Sequence, residues 1–274
     1  MKKICVNLAC GDTYLNNWLN FDFVPHSATV KQANLLSRLP LADNSADVVY
    51  SSHFLEHIPR DLVAGFLAEC HRITKVGGSL RLVLPDWEEL CSTYLSLRRA
   101  GGRAHEQADF LLLEMLDQCV RRVSCGELGA CYTRLQAHPE QNRSLIDFIR
   151  LRTGYDLTLP INLQQSGRFS RLLKNPQKIL GKLEQLYVRF ILALLPSAFR
   201  HQNVSLTSVG EKHAWMYDFY TVEKLLLQVG FTDVQSMTAS RSNILDFPFN
   251  PLDLAIDGQP RKGKESMYIE AIKI

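Results

Sequence analysis

Ile4-Cys5-Val6-Asn7-Leu8-Ala9-Cys10-Gly11-Asp12 is a short apolar run that breaks at a turn of small residues. A run of this length bounded by such a turn reads as a buried strand. The turn is read as opening toward a helix, whose positive end would let backbone NH groups approach a charged or polar ligand. Working outward, Trp18 to Phe23 (WLNFDF) reads as a second strand with Asp22 near its carboxyl end. Val30 to Leu35 is a third short extended piece, ahead of Leu39-Pro40. Ala46 to Ser51 (ADVVYS) reads as a buried strand, and a helix follows over Pro59 to Thr74. Its apolar face is Leu62, Val63, Phe66 and Leu67, and it stops before Gly77-Gly78. Ser79 to Leu84 (SLRLVL) is the next strand and ends at Pro85-Asp86. Apolar strands separated by helix-sized crossovers predict a parallel sheet covered on both faces.

The far end resumes this style. Thr221 to Val229 (TVEKLLLQV) reads as an amphipathic helix capped by Thr221 and ended by Gly230. Phe231 to Ser236 and Ser266 to Ile274 read as two neighbouring strands joined by a loop containing Pro248, Pro251 and Pro260. Between the two parts, from Trp87 to Lys212, the spacing of Leu, Ile and Phe predicts helices, with breaks at Gly101-Gly102, Gly126 to Gly129, Pro139 and Pro160. The expected architecture is α/β: a doubly wound, mostly parallel Rossmann-like sheet from residues 1–86 and 213–274, with 87–212 inserted as a large helical cap.

Composition bounds the function classes. With 274 residues, 46% hydrophobic and 22% charged, the chain is expected to fold, and a net charge of +3 argues against a dedicated nucleic-acid binder. The seven cysteines include no CxxC pair, and the six-residue spacing of Cys119, Cys125 and Cys131 suits neither a zinc knuckle nor an iron–sulfur loop. The opening MKKICVNLAC has no secretory apolar region, so reduced thiols in a cytoplasm are the expectation. Charge is unevenly placed: residues 168–201 hold seven Lys/Arg against one Glu. That basic stretch reads either as a solvated face of a lid helix whose apolar side packs inward or against a second copy in a homodimer, or as a contact for an anionic substrate or a membrane surface. Its apolar part, Leu186 to Leu195, is too short to span a bilayer.

Three features converge on a nucleotide-type ligand: the small-residue turn, Asp22 placed to accept ribose hydroxyls, and their position at carboxyl ends of adjacent strands. The next stretch is more specific. Leu39-Pro40-Leu41-Ala42-Asp43-Asn44-Ser45-Ala46-Asp47 is followed by Ser51-Ser52-His53-Phe54-Leu55-Glu56-His57. Together with Asn7 to Gly11, with His213-Ala214-Trp215-Met216-Tyr217-Asp218 and with Leu226 to Phe231, this set resembles the class I S-adenosylmethionine-dependent methyltransferases. The likeness covers residues 1–86 and 213–274. It implies that Asn7, Ala9, Cys10 and Gly11 line the methionine part of the cofactor S-adenosylmethionine, and that Asp22 holds its ribose. It places Asn34 and Leu35 at the adenine, and Ser51 and Ser52 with His53 at the floor. Ala9 stands where the family usually has glycine, and Asn34 where it has aspartate.

The chemistry-bearing residues each carry two readings. His53 fits a general base taking a proton from an acceptor hydroxyl, or a histidine bonded to backbone. His213 is the second candidate base, from the opposite side of the cleft. Trp215, Tyr217 and Tyr220 suit sugar stacking or core packing. Asp86 suits a substrate contact or a helix cap. His53 to His57 also spells HxxEH, but it follows a strand and precedes Pro59, so a structural pair is expected rather than a metal site. The function implied is O-methylation of a sugar, glycan precursor or small metabolite in the cytoplasm. Methylation of a peptide or protein and a degenerate cofactor binder are the alternatives.

Overall fold

Seven strands form one sheet: β1 (Cys5–Leu8), β2 (Leu19–Asp22), β3 (Val30–Gln32), β4 (Ala46–Ser52), β5 (Thr74–Pro85), β6 (Phe231–Met237) and β7 (Ser266–Lys273). Their order in the computed structural model is β3-β2-β1-β4-β5-β7-β6. The structure describes residues 3–25, 27–158, 187, 188, 190–205, 207 and 210–274. Strands β1 to β5 run parallel, while β7 is antiparallel to both β5 and β6. The order reverses at β1, so the crevice outside the carboxyl ends of β1 and β4 is the topological switch point. The mostly parallel Rossmann-like sheet expected from sequence is present.

The crossovers differ from expectation. No helix lies between β1 and β2: residues 9–18 make turns only. The connections β2–β3 and β3–β4 are likewise without α-helix among the described residues. The first helix is α1 (Arg60–Ile73), for which Pro59 is the N-cap. It runs directly into β5, which absorbs Gly77-Gly78. Val63, Phe66 and Leu67 are buried on it, but Leu62 is 42% exposed and off the apolar face. A second helix, α7 (Phe219–Gln228), is capped by Asp218, whose carboxylate accepts the Thr221 NH at 2.7 Å; Thr221 itself is not the cap. Helices α1 and α7 bury one face of the sheet, with Phe21, Leu35, Phe66, Leu80, Leu226 and Phe231 at its centre.

The other face is covered by chain without long helices. Trp18, Tyr50, Tyr268 and Phe247 pack there with residues of the segment between β6 and β7. Within it lies Arg81 of β5, fully buried. Its Nε donates to Asp253 Oδ2 at 2.8 Å, its Nη1 to Glu270 Oε1 at 2.7 Å, and its Nη2 to the Thr238 carbonyl at 2.8 Å. Tyr50 donates to the other Asp253 oxygen at 2.7 Å, and the Phe247 ring lies 4.8 Å from the guanidinium carbon. A buried charge this completely paired is tolerated because every partner is satisfied.

After β5 come α2 (Trp87–Ala100), α3 (Ala104–Val120), α4 (Gly126–Ala137) and α5 (Arg143–Thr153), and later α6 (Ser197–Asn203). Helices α3 to α5 share a small core of Phe110, Leu111, Leu128, Leu135, Ile146 and Ile149. They meet the sheet where α5 abuts the turn before β7. Arg152 there donates to Glu114 and to Glu89, each at 2.9 Å. Of the basic stretch 168–201, residues 168–186 and 189 lie outside the described residues. No helix among the described residues is long and apolar enough to cross a membrane. All seven cysteines are free thiols.

Candidate functional site

Strand register brings Ala9, Asp22, Ser52 and His53 to one edge of the sheet. Leu8 is level with Phe21 on one side and Ser51 on the other, so Ala9 falls beside Asp22 and Ser52. Ser52 is in turn level with Val83, and Pro85 with Ser266. The turn after β1, the end of β2, His53 and the start of β7 therefore border the same crevice.

The turn is held by Asp22. Its Oδ2 accepts the Gly11 NH at 2.9 Å and its Oδ1 the Val24 NH at 3.0 Å. Ala9 and Gly11 both adopt left-handed backbone, at φ 56° and 52°. For Ala9 that conformation costs on the order of 1 kcal/mol. Nothing lies within 4 Å of the position a Cβ would take on Gly11, so space is open there. The expected helix dipole is absent; the NH groups of the turn act alone. Burial pushes the Cys10 thiol up to about 12, with the Asp22 charge adding to it, so Cys10 stays protonated.

The other residues expected to line the cofactor differ in what holds them. Asn7 is buried beneath the turn and donates to the Thr13 carbonyl at 3.1 Å, a bracing role. Leu35 is fully buried in the core and does not face the crevice. Asn34 is exposed, and its side-chain oxygen accepts the Leu36 NH at 3.1 Å in a local turn. Ser51 is buried and its hydroxyl has no hydrogen-bond partner. Ser52 Oγ is 3.4 Å from Arg261 Nη2.

His53 also has left-handed backbone, φ 51°, and its NH donates to the Val83 carbonyl at 2.7 Å. The ring is doubly engaged: Nε2 lies 2.9 Å from Ser266 Oγ and Nδ1 lies 3.3 Å from Glu56 Oε1. The carboxylate side favours hydrogen on Nδ1, leaving Nε2 to accept from the serine. Burial pulls the His53 pKa down, which keeps the ring neutral. Ser266 gave no sequence signal: it opens a strand 213 residues away.

Glu56 lies in a 3-10 turn, Leu55–His57, and is 1% exposed. Burial alone would raise its pKa, but His53, then His57 and His213, hold it down at about 2. His213 is 8% exposed, and burial pulls it down to about 4. The His57 and His213 rings are 4.9 Å apart, edge to face. The segment carrying His213 is stitched in by backbone: His213 NH to the Gln118 carbonyl of α3 at 2.9 Å, and Ala214 NH to the Glu56 carbonyl at 2.6 Å.

The aromatic residues separate. Tyr217 is 2% exposed within the core, so it does not present its ring to a substrate. Trp215 is 42% exposed under the Arg60 guanidinium, 4.3 Å from the ring centre, and Tyr220 is exposed. Asp86 caps α2, accepting the NH groups of Glu88 and Glu89 at 3.0 and 3.2 Å. A cavity lined by Lys3, Trp18, Phe247 and Pro248 lies at the opposite, amino end of the strands, away from this chemistry.

Residues 13–82 match the family model described as a methyltransferase domain. No curated protein matches the chain. Among solved structures, an S-adenosylmethionine-dependent methyltransferase of Mesorhizobium loti is 22% identical over 30% of this chain and 47% of its own, TM-score 0.26. This chain thus spans about half of that relative's length. One from Archaeoglobus fulgidus is 11% identical over 99% of this chain and 86% of its own, TM-score 0.41. One from Thermotoga maritima is 11% identical over 100% and 83%, TM-score 0.42.

Proposed function

We propose that this chain, whose residues 13–82 match a methyltransferase domain, is a class I methyltransferase dependent on S-adenosylmethionine and methylates a hydroxyl of a sugar, glycan precursor or other small metabolite. The observation that carries the acceptor side of this reading is the line Ser266–His53–Glu56, which aims the acceptor nitrogen of a neutral imidazole at a hydroxyl oxygen. Bound S-adenosylmethionine supplies a methyl group already activated by its sulfonium.

The protein's task is then placement and one proton. Asp22 has lone pairs beyond those used by Gly11 and Val24, and these suit two ribose hydroxyls. The open space over Gly11 and the unpartnered Ser51 hydroxyl fit a polar ligand against the turn. His53 receives the acceptor proton at Nε2, with Ser266 marking where that hydroxyl sits or relaying its proton. Glu56 holds the far side of the ring and stabilises the imidazolium that results. The described helices of the insertion, α2 to α6, serve as a cap that selects the acceptor, with the exposed Trp215 beside it.

Calorimetry with S-adenosylmethionine and S-adenosylhomocysteine, followed by methyl transfer to a panel of hydroxylated sugars and peptides, tests this. Binding by neither ligand to folded protein overturns it. A second reading, a cofactor binder without turnover, draws on left-handed Ala9 and the missing helix after β1; tight binding with no transfer to any acceptor would favour it.

A further inference from the structure

Glu56 and His57 meet His213 from the far side of the insertion, and one ligand atom from each lies within 4.8 Å of the others. As a packed polar cluster this is incomplete. Apart from the His53 Nδ1 contact at 3.3 Å from Oε1, neither Glu56 oxygen has a hydrogen-bond partner. His213 Nδ1 is buried without a partner. His57 Nδ1 lies 2.9 Å from the Lys212 carbonyl, which can only accept, so that nitrogen carries the hydrogen. In neutral His57 this leaves the Nε2 lone pair 3.9 Å from the Glu56 carboxylate. Lone pairs of a buried carboxylate and an imidazole facing each other repel unless a cation stands between them. A backbone carbonyl fixing the remote nitrogen is also how metal-binding imidazoles are oriented.

We infer that Glu56, His57 and His213 bind one divalent transition-metal cation, zinc being the best match to two imidazoles and one carboxylate. Three protein ligands leave a fourth position open, the pattern of a catalytic rather than a structural site. Bonds of about 2.0–2.2 Å in a tetrahedral set place ligand atoms roughly 3.5 Å apart, so side-chain rotations must draw the three together around the ion. The sequence pattern HxxEH points at part of this cluster for the wrong reason. The segment is a 3-10 turn rather than mid-helix, and the third donor, His213, comes through the tertiary fold.

The test is titration of the chelator-treated full chain with Co²⁺ and Zn²⁺ alone, read by visible absorption, metal content and melting temperature. Expected are one equivalent bound, ligand-field bands without a thiolate charge-transfer band, and a raised melting temperature. Glu56→Gln and His213→Ala should each weaken binding on the order of 100-fold. Should Glu56→Gln fail to fold by circular dichroism, His57→Ala takes its place in the comparison. No stoichiometric metal, a thiolate band pointing to cysteine ligands, or unchanged affinity in the variants would overturn the inference; the first would leave a proton as the cation.

Discussion

The Asp22 carboxylate accepts the Gly11 NH at 2.9 Å, tying the end of β2 to the turn after β1 across the sheet edge. With no helix after that turn, this bond and the one to Val24 hold the shape of the crevice. Replacing Asp22 by Ala removes two charge-assisted hydrogen bonds, each worth about 1.5–3 kcal/mol in such settings. We expect lower stability in urea unfolding and loss of S-adenosylmethionine binding by calorimetry. A variant with wild-type affinity would show that Asp22 only braces the turn.

His53→Gln should separate chemistry from binding. A positioned base contributes about 10²- to 10⁴-fold, so kcat falls by that order while cofactor affinity holds. Ser266→Ala, which keeps the imidazole, should cost less. Equal, small effects in both would remove the proton-transfer role.

Arg81 and Asp253 form a fully buried pair at 2.7 Å. Arg81→Ala strands Asp253 and Glu270 as buried charges, a loss of about 3–5 kcal/mol. Guanidinium unfolding would measure it. A loss under about 1 kcal/mol would mean water replaces the guanidinium.

Gly263 has φ 64°, and a Cβ there would stand 1.9 Å from the Arg152 carbonyl. Gly263→Ala should push α5 from the turn before β7, costing upwards of about 1 kcal/mol. Hydrogen exchange should rise across 143–153 before it rises in the sheet. Unchanged exchange there would refute the contact's importance.

Glu265 is half-buried and lies beside Glu114, and desolvation together with that neighbouring carboxylate raises its pKa well above the ordinary carboxylate value. Between the unfolded and folded values the native chain binds more protons than the unfolded one, so stability falls as pH rises through that window. Glu265→Gln should remove this decline and stabilise the protein at neutral pH. Chemical unfolding from mildly acidic to neutral pH reads it; parallel curves for the two proteins would contradict the assignment.

The strands were legible because each is a local apolar run, and the switch point followed from their order. Asp22 and His53 were legible because both lie at strand ends, where position along the chain fixes position at the edge. Leu35 and Tyr217 were not. An apolar or aromatic residue beside a predicted site looks the same in sequence whether it turns to the crevice or to the core. The helix expected after β1 fails for length: ten residues between Leu8 and Leu19 must also climb back along the sheet.

Sequence alone determined the α/β class and the crevice edge, since these rest on periodicity and on motifs within a few residues of each other. The tertiary structure decided what the motifs are made of. Arg81 meets Asp253, His53 meets Ser266, and Glu56 meets His213 across long stretches of chain. Such contacts leave no periodic trace: burial and charge fix them only once the β7 hairpin and the return from the insertion have closed over the sheet.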